Sequence, residues 1–303
     1  MKKTFYIVDA LLILAVLIGD ACYMAFGGLL LKSLTSALFV TLGAVNLVYA
    51  LKTKTKERMF AIFMLVGLFF SMLGDILLNI EFMIGAALFA VGHIFYFVAY
   101  CFAQKYKLLD FVICGLLAIV STLIVTCVKA FDFGSNMMEA VVVIYAFVIS
   151  TMLGKATANL IRERNLKNIL LVIGSGLFFF SDLMLLLDVF LPTNNIVFDI
   201  LCLVTYYPAQ CLLASALLFT KTKEDAKPEV AETTEVVETE TEAIATEDEK
   251  VEDKVEVNEE KLEEAKVETE TKPKTSTRKT STRKTATKKT TAAKKTTSTK
   301  TIK

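Results

Sequence analysis

The chain has 303 residues, 54% of them hydrophobic, and its mean hydropathy of +0.55 excludes an ordinary water-soluble globular domain. Its formal net charge of +1 conceals two opposed blocks, −15 over residues 224–270 and +12 over residues 272–303. Six cysteines without a C-x-x-C pair indicate neither a zinc site nor a disulfide framework, and a single histidine excludes a three-histidine metal centre.

Eight apolar runs follow one another, at about 5–26, 29–51, 59–80, 82–104, 108–128, 138–161, 167–190 and 196–220. About 20 residues rising 1.5 Å each cross roughly 30 Å of hydrocarbon, so each run predicts a transmembrane helix. The runs are continuously apolar rather than alternating, which favours helices over a barrel. The opening "MKK" resembles the start of a signal peptide. The run behind it is too long and lacks an A-x-A-like exit, so it reads as an anchored first helix.

Basic residues gather on one side of these spans, in Lys52, Lys54, Lys56 and Arg58, then Lys105 and Lys107, then Arg162, Arg164 and Lys167. The other side has Lys32 and Lys129. This positive-inside pattern predicts both termini in the cytoplasm and requires an even number of spans. Short loops and the lack of a targeting sequence fit a bacterial cytoplasmic membrane.

Ionisable groups inside spans are costly and face protein or water rather than lipid, which makes each a functional candidate. Asp20, Lys32, Asp75, His93 and Asp182 lie deep or at the outer level, whereas Asp9, Glu81, Glu139, Lys155, Asp188 and Asp199 lie nearer helix ends, within reach of water or by snorkelling. Asp75, in "FFSMLGDILLNI" (69–80), stands about 24 Å from the basic side by helical rise, and Asp182, in "FFFSDLMLLL" (178–187), about 22 Å. The two carboxylates are therefore expected at one depth. His93 and Tyr96 share a helix face at i,i+3, as Tyr206 and Gln210 do at i,i+4. Gly74 and Ser181 permit close helix approach beside each carboxylate.

Each candidate has a plainer reading. One aspartate alone is an interhelical anchor, His93 is a packing residue, and Lys32 with Asp20 is a structural ion pair. Two aspartates at one depth favour function. A faint internal repeat aligns "LGDILL" with "FSDLMLL" and "FAQ" (102–104) with "PAQ" (208–210), as two parallel four-helix halves would.

The chain thus divides into an eight-helix membrane domain (1–220), an acidic disordered linker (221–271) and a basic Lys/Thr-rich disordered tail (272–303). The tail reads first as a solvated appendage without a catalytic role; its basic end also suits anionic lipid headgroups or nucleic acid, or folds back on the acidic block. The fold class is an all-α membrane protein.

Several blocks resemble the YhhN-like lysoplasmalogenase family: "GDILL", "FAVGHIFY" (89–96), "VIYAFVISTM" (143–152), "FFFSDLMLL" and "TYYPAQCLL" (205–213). "LKSLTS" (31–36) is similar to the family's lysine-containing block, with Ser33 where a proline is usual. The resemblance covers about residues 1–220. It implies a multi-pass hydrolase that cleaves the vinyl-ether bond of lysoplasmalogens to a fatty aldehyde and glycerophosphoethanolamine or glycerophosphocholine, without a cofactor. By motif position Asp75 and Asp182 inherit the catalytic role, while His93, Tyr145, Tyr206 and Gln210 inherit motif membership. Vinyl-ether hydrolysis needs a carboxylic acid to protonate carbon and a carboxylate to stabilise the cation and activate water. Lys32 suits the substrate phosphate, with Tyr96 and Ser181 also in the expected binding set. A small proton-coupled transporter is the alternative, since membrane carboxylates and a repeat serve transport as well. A membrane anchor for a working tail is a third reading.

Overall fold

The computed structural model describes residues 2–193 and 195–221. The described residues form eight α-helices: α1 (Lys2–Phe26), α2 (Leu29–Lys52), α3 (Arg58–Leu78), α4 (Phe82–Ala103), α5 (Leu108–Cys127), α6 (Asn136–Arg162), α7 (Leu166–Phe190) and α8 (Ile196–Ser215). All eight are long and apolar enough to cross a membrane, and no strand occurs among the described residues. The all-helical architecture is the one expected. Beyond Lys221, the acidic linker and basic tail fall outside the described residues.

The helix bounds differ from the apolar runs where polar chemistry intervenes. Helix α1 already runs at Lys2, ahead of the apolar stretch. Helix α8 ends at Ser215 and tightens into a 3-10 turn, Ala216–Phe219, where Asn46 Nδ2 donates to the Ala214 carbonyl at 3.2 Å. Helices α6, α7 and α8 start on side-chain caps, with Ser135, Asn165 and Asn195 accepting from Met138, Asn168 and Val197 amides. Between α1 and α2 the chain turns on Gly27 and Gly28, whose φ angles of 65° and 99° suit glycine and set Lys32 in the first turn of α2.

The exterior is apolar, as a lipid-facing surface must be. Ile7, Leu11, Leu14 and Ile18 line one exposed face of α1, and Phe111, Leu116, Ile119 and Leu123 one of α5. The buried core is aromatic, with Phe39, Phe89, Phe178, Tyr206 and Tyr207 among its members. Helices α3 and α4 pack most closely. A Cβ on Gly74 would lie 2.8 Å from the Phe89 ring, and one on Gly85 would lie 2.5 Å from the Leu78 backbone. The close approach expected beside Asp75 is therefore real, and Gly74 is the reason.

The two halves pack alike. Helix α3 pairs with α4 as α7 pairs with α8, and α2 meets α8 as α6 meets α4. Helices α1 and α5 sit on the flanks, α1 against α2 and α8, and α5 against α6. Helix α3 also meets α8 of the other half, and α7 reaches α4 through Phe178, whose ring lies 4.5 Å from His93.

Candidate active site

Asp75 and Asp182 line one cavity of about 230 Å³, together with Lys32, Phe89, Ser181 and Tyr206. Its far end, away from the basic loops, is edged by Asn79, Asp188 and Asp199. Matching depth on two helices thus coincides with a shared space. The half-buried Asp188 and exposed Asp199 stand at this rim, as their positions near helix ends predict.

The two carboxylates have unlike settings. Asp75 is 3% exposed, and its Oδ1 lies 3.1 Å from Lys32 Nζ. Its Oδ2 accepts hydrogen bonds from Ser36 Oγ on α2 and from Tyr207 Oη on α8, the latter at 2.9 Å. Its buried carboxyl group thus has a cation and two hydroxyl donors around it. Lys32 itself rests 5.4 Å above the Tyr23 ring. The plainer reading of Lys32 and Asp20 as an ion pair does not hold: Lys32 reaches Asp75 instead, and the Oδ1 of buried Asp20 has no partner among the described residues.

Among the described residues Asp182 has no lysine or arginine partner. Tyr145 Oη on α6 donates to its Oδ2 at 2.5 Å, and His93 Nε2 on α4 faces the same oxygen at 3.8 Å. His93 Nδ1 lies 2.6 Å from the Phe89 carbonyl oxygen, so Nδ1 carries a proton and donates it there. In the neutral ring, Nε2 then presents a lone pair towards Asp182, and it has no hydrogen-bond partner. Two acceptors face each other unless a proton sits on one of them. The ring is held by Phe178, 4.5 Å away, and by Tyr145, 5.5 Å away.

Ser181 and Tyr206 line the cavity, but each spends its hydroxyl on backbone. Ser181 Oγ donates to the Cys202 carbonyl at 2.9 Å, and Tyr206 Oη to the Ser71 carbonyl at 3.3 Å. Tyr96 and Gln210 do not border the cavity. Tyr96 Oη donates to Gln210 Oε1 at 2.9 Å, so these two expected binding residues pair with each other in the core, while Gln210 Nε2 has no partner among the described residues. The face shared by Tyr206 and Gln210 is therefore split between cavity wall and helix packing.

Ser36 and Tyr207 donate to Asp75 although neither belonged to the expected binding set. Ser36 lies one turn beyond Lys32 on the same face of α2, a spacing that pointed to it. Tyr207 stands out as a polar companion within its span, but its spacing gave no facing, because its neighbour Tyr206 sits on the i,i+4 face with Gln210.

Two apolar grooves also reach Asp182. One is lined by Leu78 of α3, Phe82, Ala86 and Phe89 of α4, Val141, Val142 and Tyr145 of α6, and Leu185, Leu186 and Phe190 of α7. The other lies among α5, α6 and α7, with Ile124, Ala146 and Phe179 in its walls.

No curated protein and no solved structure matches the chain. The YhhN family profile matches residues 30–217, a span that contains every donor to both carboxylates and most of the described bundle. The chain belongs to the YhhN family.

Proposed function

We propose that the cavity hydrolyses the vinyl-ether bond of lysoplasmalogens. The observation that carries this reading is the contrast between two carboxyl groups in one cavity: Asp75 is paired with a cation and Asp182 is not. Family membership supports a lysoplasmalogenase-type function at the level of the family.

The unlike settings divide the roles. Asp182, with its proton and facing the bare Nε2 of His93, is the acid. It transfers that proton to the β-carbon of the vinyl ether, leaving an oxocarbenium ion. Asp75, held as a carboxylate by Lys32, Ser36 and Tyr207, stabilises that cation. It then takes a proton from the water that attacks the carbon bonded to oxygen. The hemiacetal collapses, its carbon–oxygen bond to glycerol breaks, and the aldehyde and the glycerol hydroxyl separate. In that collapse Asp182, now a carboxylate, takes the proton of the hemiacetal hydroxyl and Asp75 gives its proton to the departing glycerol oxygen, so one water is consumed and both carboxyl groups return to their starting states. Lys32 uses one of its three N–H donors on Asp75 and offers the others to the substrate phosphate.

In this reading both termini lie on the cytoplasmic side of a bacterial membrane, an orientation that the basic ends of α2, α4, α6 and α8 support, and the substrate is reached from the outer half of the bilayer. The test is aldehyde release by full-length protein in detergent, from 1-alkenyl-glycerophosphoethanolamine. Wild type is expected to release aldehyde, and Asp75→Asn and Asp182→Asn to abolish release while remaining folded. Activity on an ordinary acyl lysolipid with none on the vinyl ether would overturn the assignment.

A further inference from the structure

The polar cavity and the two apolar grooves have one residue in common, Asp182. They are not equally continuous with it. The groove against α4 also shares Leu78, Phe82, Phe89 and Leu185 with the cavity, so the two form one passage past the carboxyl group. The groove against α5 shares nothing further with the cavity and lies across Tyr145, which borders both grooves.

We propose that the α4–α6–α7 groove is the channel for the aliphatic chain of a single-chain phospholipid, opening sideways into the bilayer. The inference rests on the hydrolytic reading for the identity of the occupant. A vinyl ether sits between a polar glycerol and an apolar chain, and the polar cavity meets this groove at Asp182. A lipid with its phosphate near Lys32 and its chain between Ala86 and Val141 therefore carries its reactive double bond past the acid. The walls suit this occupant: apart from Tyr145 and Asp182, the groove residues are all apolar. Ala86, Val141 and Leu186 are half-buried, so the groove is unsealed along that side. The small side chain of Ala86 leaves room that a phenyl group would fill. A chain sliding in from the hydrocarbon never crosses water, so the substrate need not leave the membrane.

Two measurements on full-length protein test this. The first compares kcat/KM for vinyl ethers bearing a hexadecenyl or a butenyl chain. Ala86→Phe is expected to lower the long-to-short ratio by about tenfold or more, because chain methylenes lose their apolar contact. Ala146→Phe, in the α5 groove, is expected to move the ratio by less than about twofold. The reverse pattern overturns the proposal.

The second measurement is independent of turnover and of whether Ala86→Phe folds. A non-hydrolysable 1-O-alkyl lysolipid with a mid-chain diazirine is photolysed on wild type in lipid bilayers. Labelling at Ala86 or Val141 supports the channel even if no vinyl ether is cleaved, in which case the hydrolytic reading alone falls. Labelling at Ile124 or Phe179, with hydrolysis intact, overturns the channel alone.

Discussion

Two buried polar clusters occupy opposite ends of the bundle, and they are built on opposite rules. Near the basic loops, Asp110 is fully buried and fully matched. Its carboxylate is clasped by Arg162 through both terminal nitrogens, is 2.9 Å from Lys155 Nζ, and accepts the Lys107 amide at 2.6 Å. Lys155 spends a second donor on the Gln104 carbonyl at 2.8 Å, and Asn159 ties in Tyr100. At the other end, Asp182 has a tyrosine, a histidine that does not reach it, and open space. A satisfied network joins α4, α5 and α6 into a frame, whereas an unsatisfied group beside a cavity is available to a substrate.

The largest expected effect separates these two roles. Asp182→Asn should cut kcat by about a thousandfold or more, the scale of a lost general acid. Its melting midpoint should stay within about 2 °C of wild type, since the amide still accepts from Tyr145. A large fall in midpoint would place Asp182 with the frame instead. Asp110→Asn should do the converse, destabilising the bundle by about 3–5 kcal/mol in a denaturation series because Lys155 and Arg162 lose their countercharge. Hydrolysis per folded molecule should survive.

A smaller effect tests the holding of Asp75. Tyr207→Phe removes one of two hydroxyl donors to a buried carboxylate, which corresponds to about 1.5–3 kcal/mol. In this reading it appears as a roughly tenfold to hundredfold fall in kcat/KM rather than as unfolding. An unchanged rate would show that Lys32 and Ser36 suffice.

The smallest concerns the rim of the frame. Glu163 lies beyond α6, paired with Lys221 at 2.8 Å and accepting from Asn165 at 2.9 Å. Burial pushes its carboxyl up, but these partners outweigh it and hold the group below the usual 4.5. A depressed carboxyl contributes stability above its unfolded value and loses it as pH falls through the folded one. The pair is well exposed, so the loss below about pH 4.5 should amount to roughly 0.2–1 kcal/mol, and Glu163→Gln should remove that part of the pH dependence.

These contrasts also explain what the sequence reveals. Asp75 and Asp182 are legible because a charge inside an apolar run is conspicuous, and helical rise alone sets them at one depth. Their partners are less so. The hydroxyls of Ser36 and Tyr207 barely alter hydropathy, and the Lys32–Asp75 pair joins two helices whose rotation no single run encodes. Helix-end position is a poor guide to solvation here. Lys155 and Asp9 sit near ends where snorkelling is expected, yet Lys155 is fully buried against Asp110. Asp9 is buried against Asn46 and Ser215. Each found a polar partner on another helix before it found water, a tertiary outcome that local pattern does not contain.

The exchange of donors between halves has a consequence for synthesis. Asp182 looks back to His93 on α4, and Asp75 waits for Tyr207 on α8. While the chain is still emerging, the first half holds an aspartate with its lysine but lacks the last hydroxyl that steadies it. The wall supplied by Tyr206 is missing as well. A nascent or truncated chain therefore carries both acidic groups without the geometry to use them. The final helix supplies Tyr206 and Tyr207 together, so the cavity is complete only once the last span is in place.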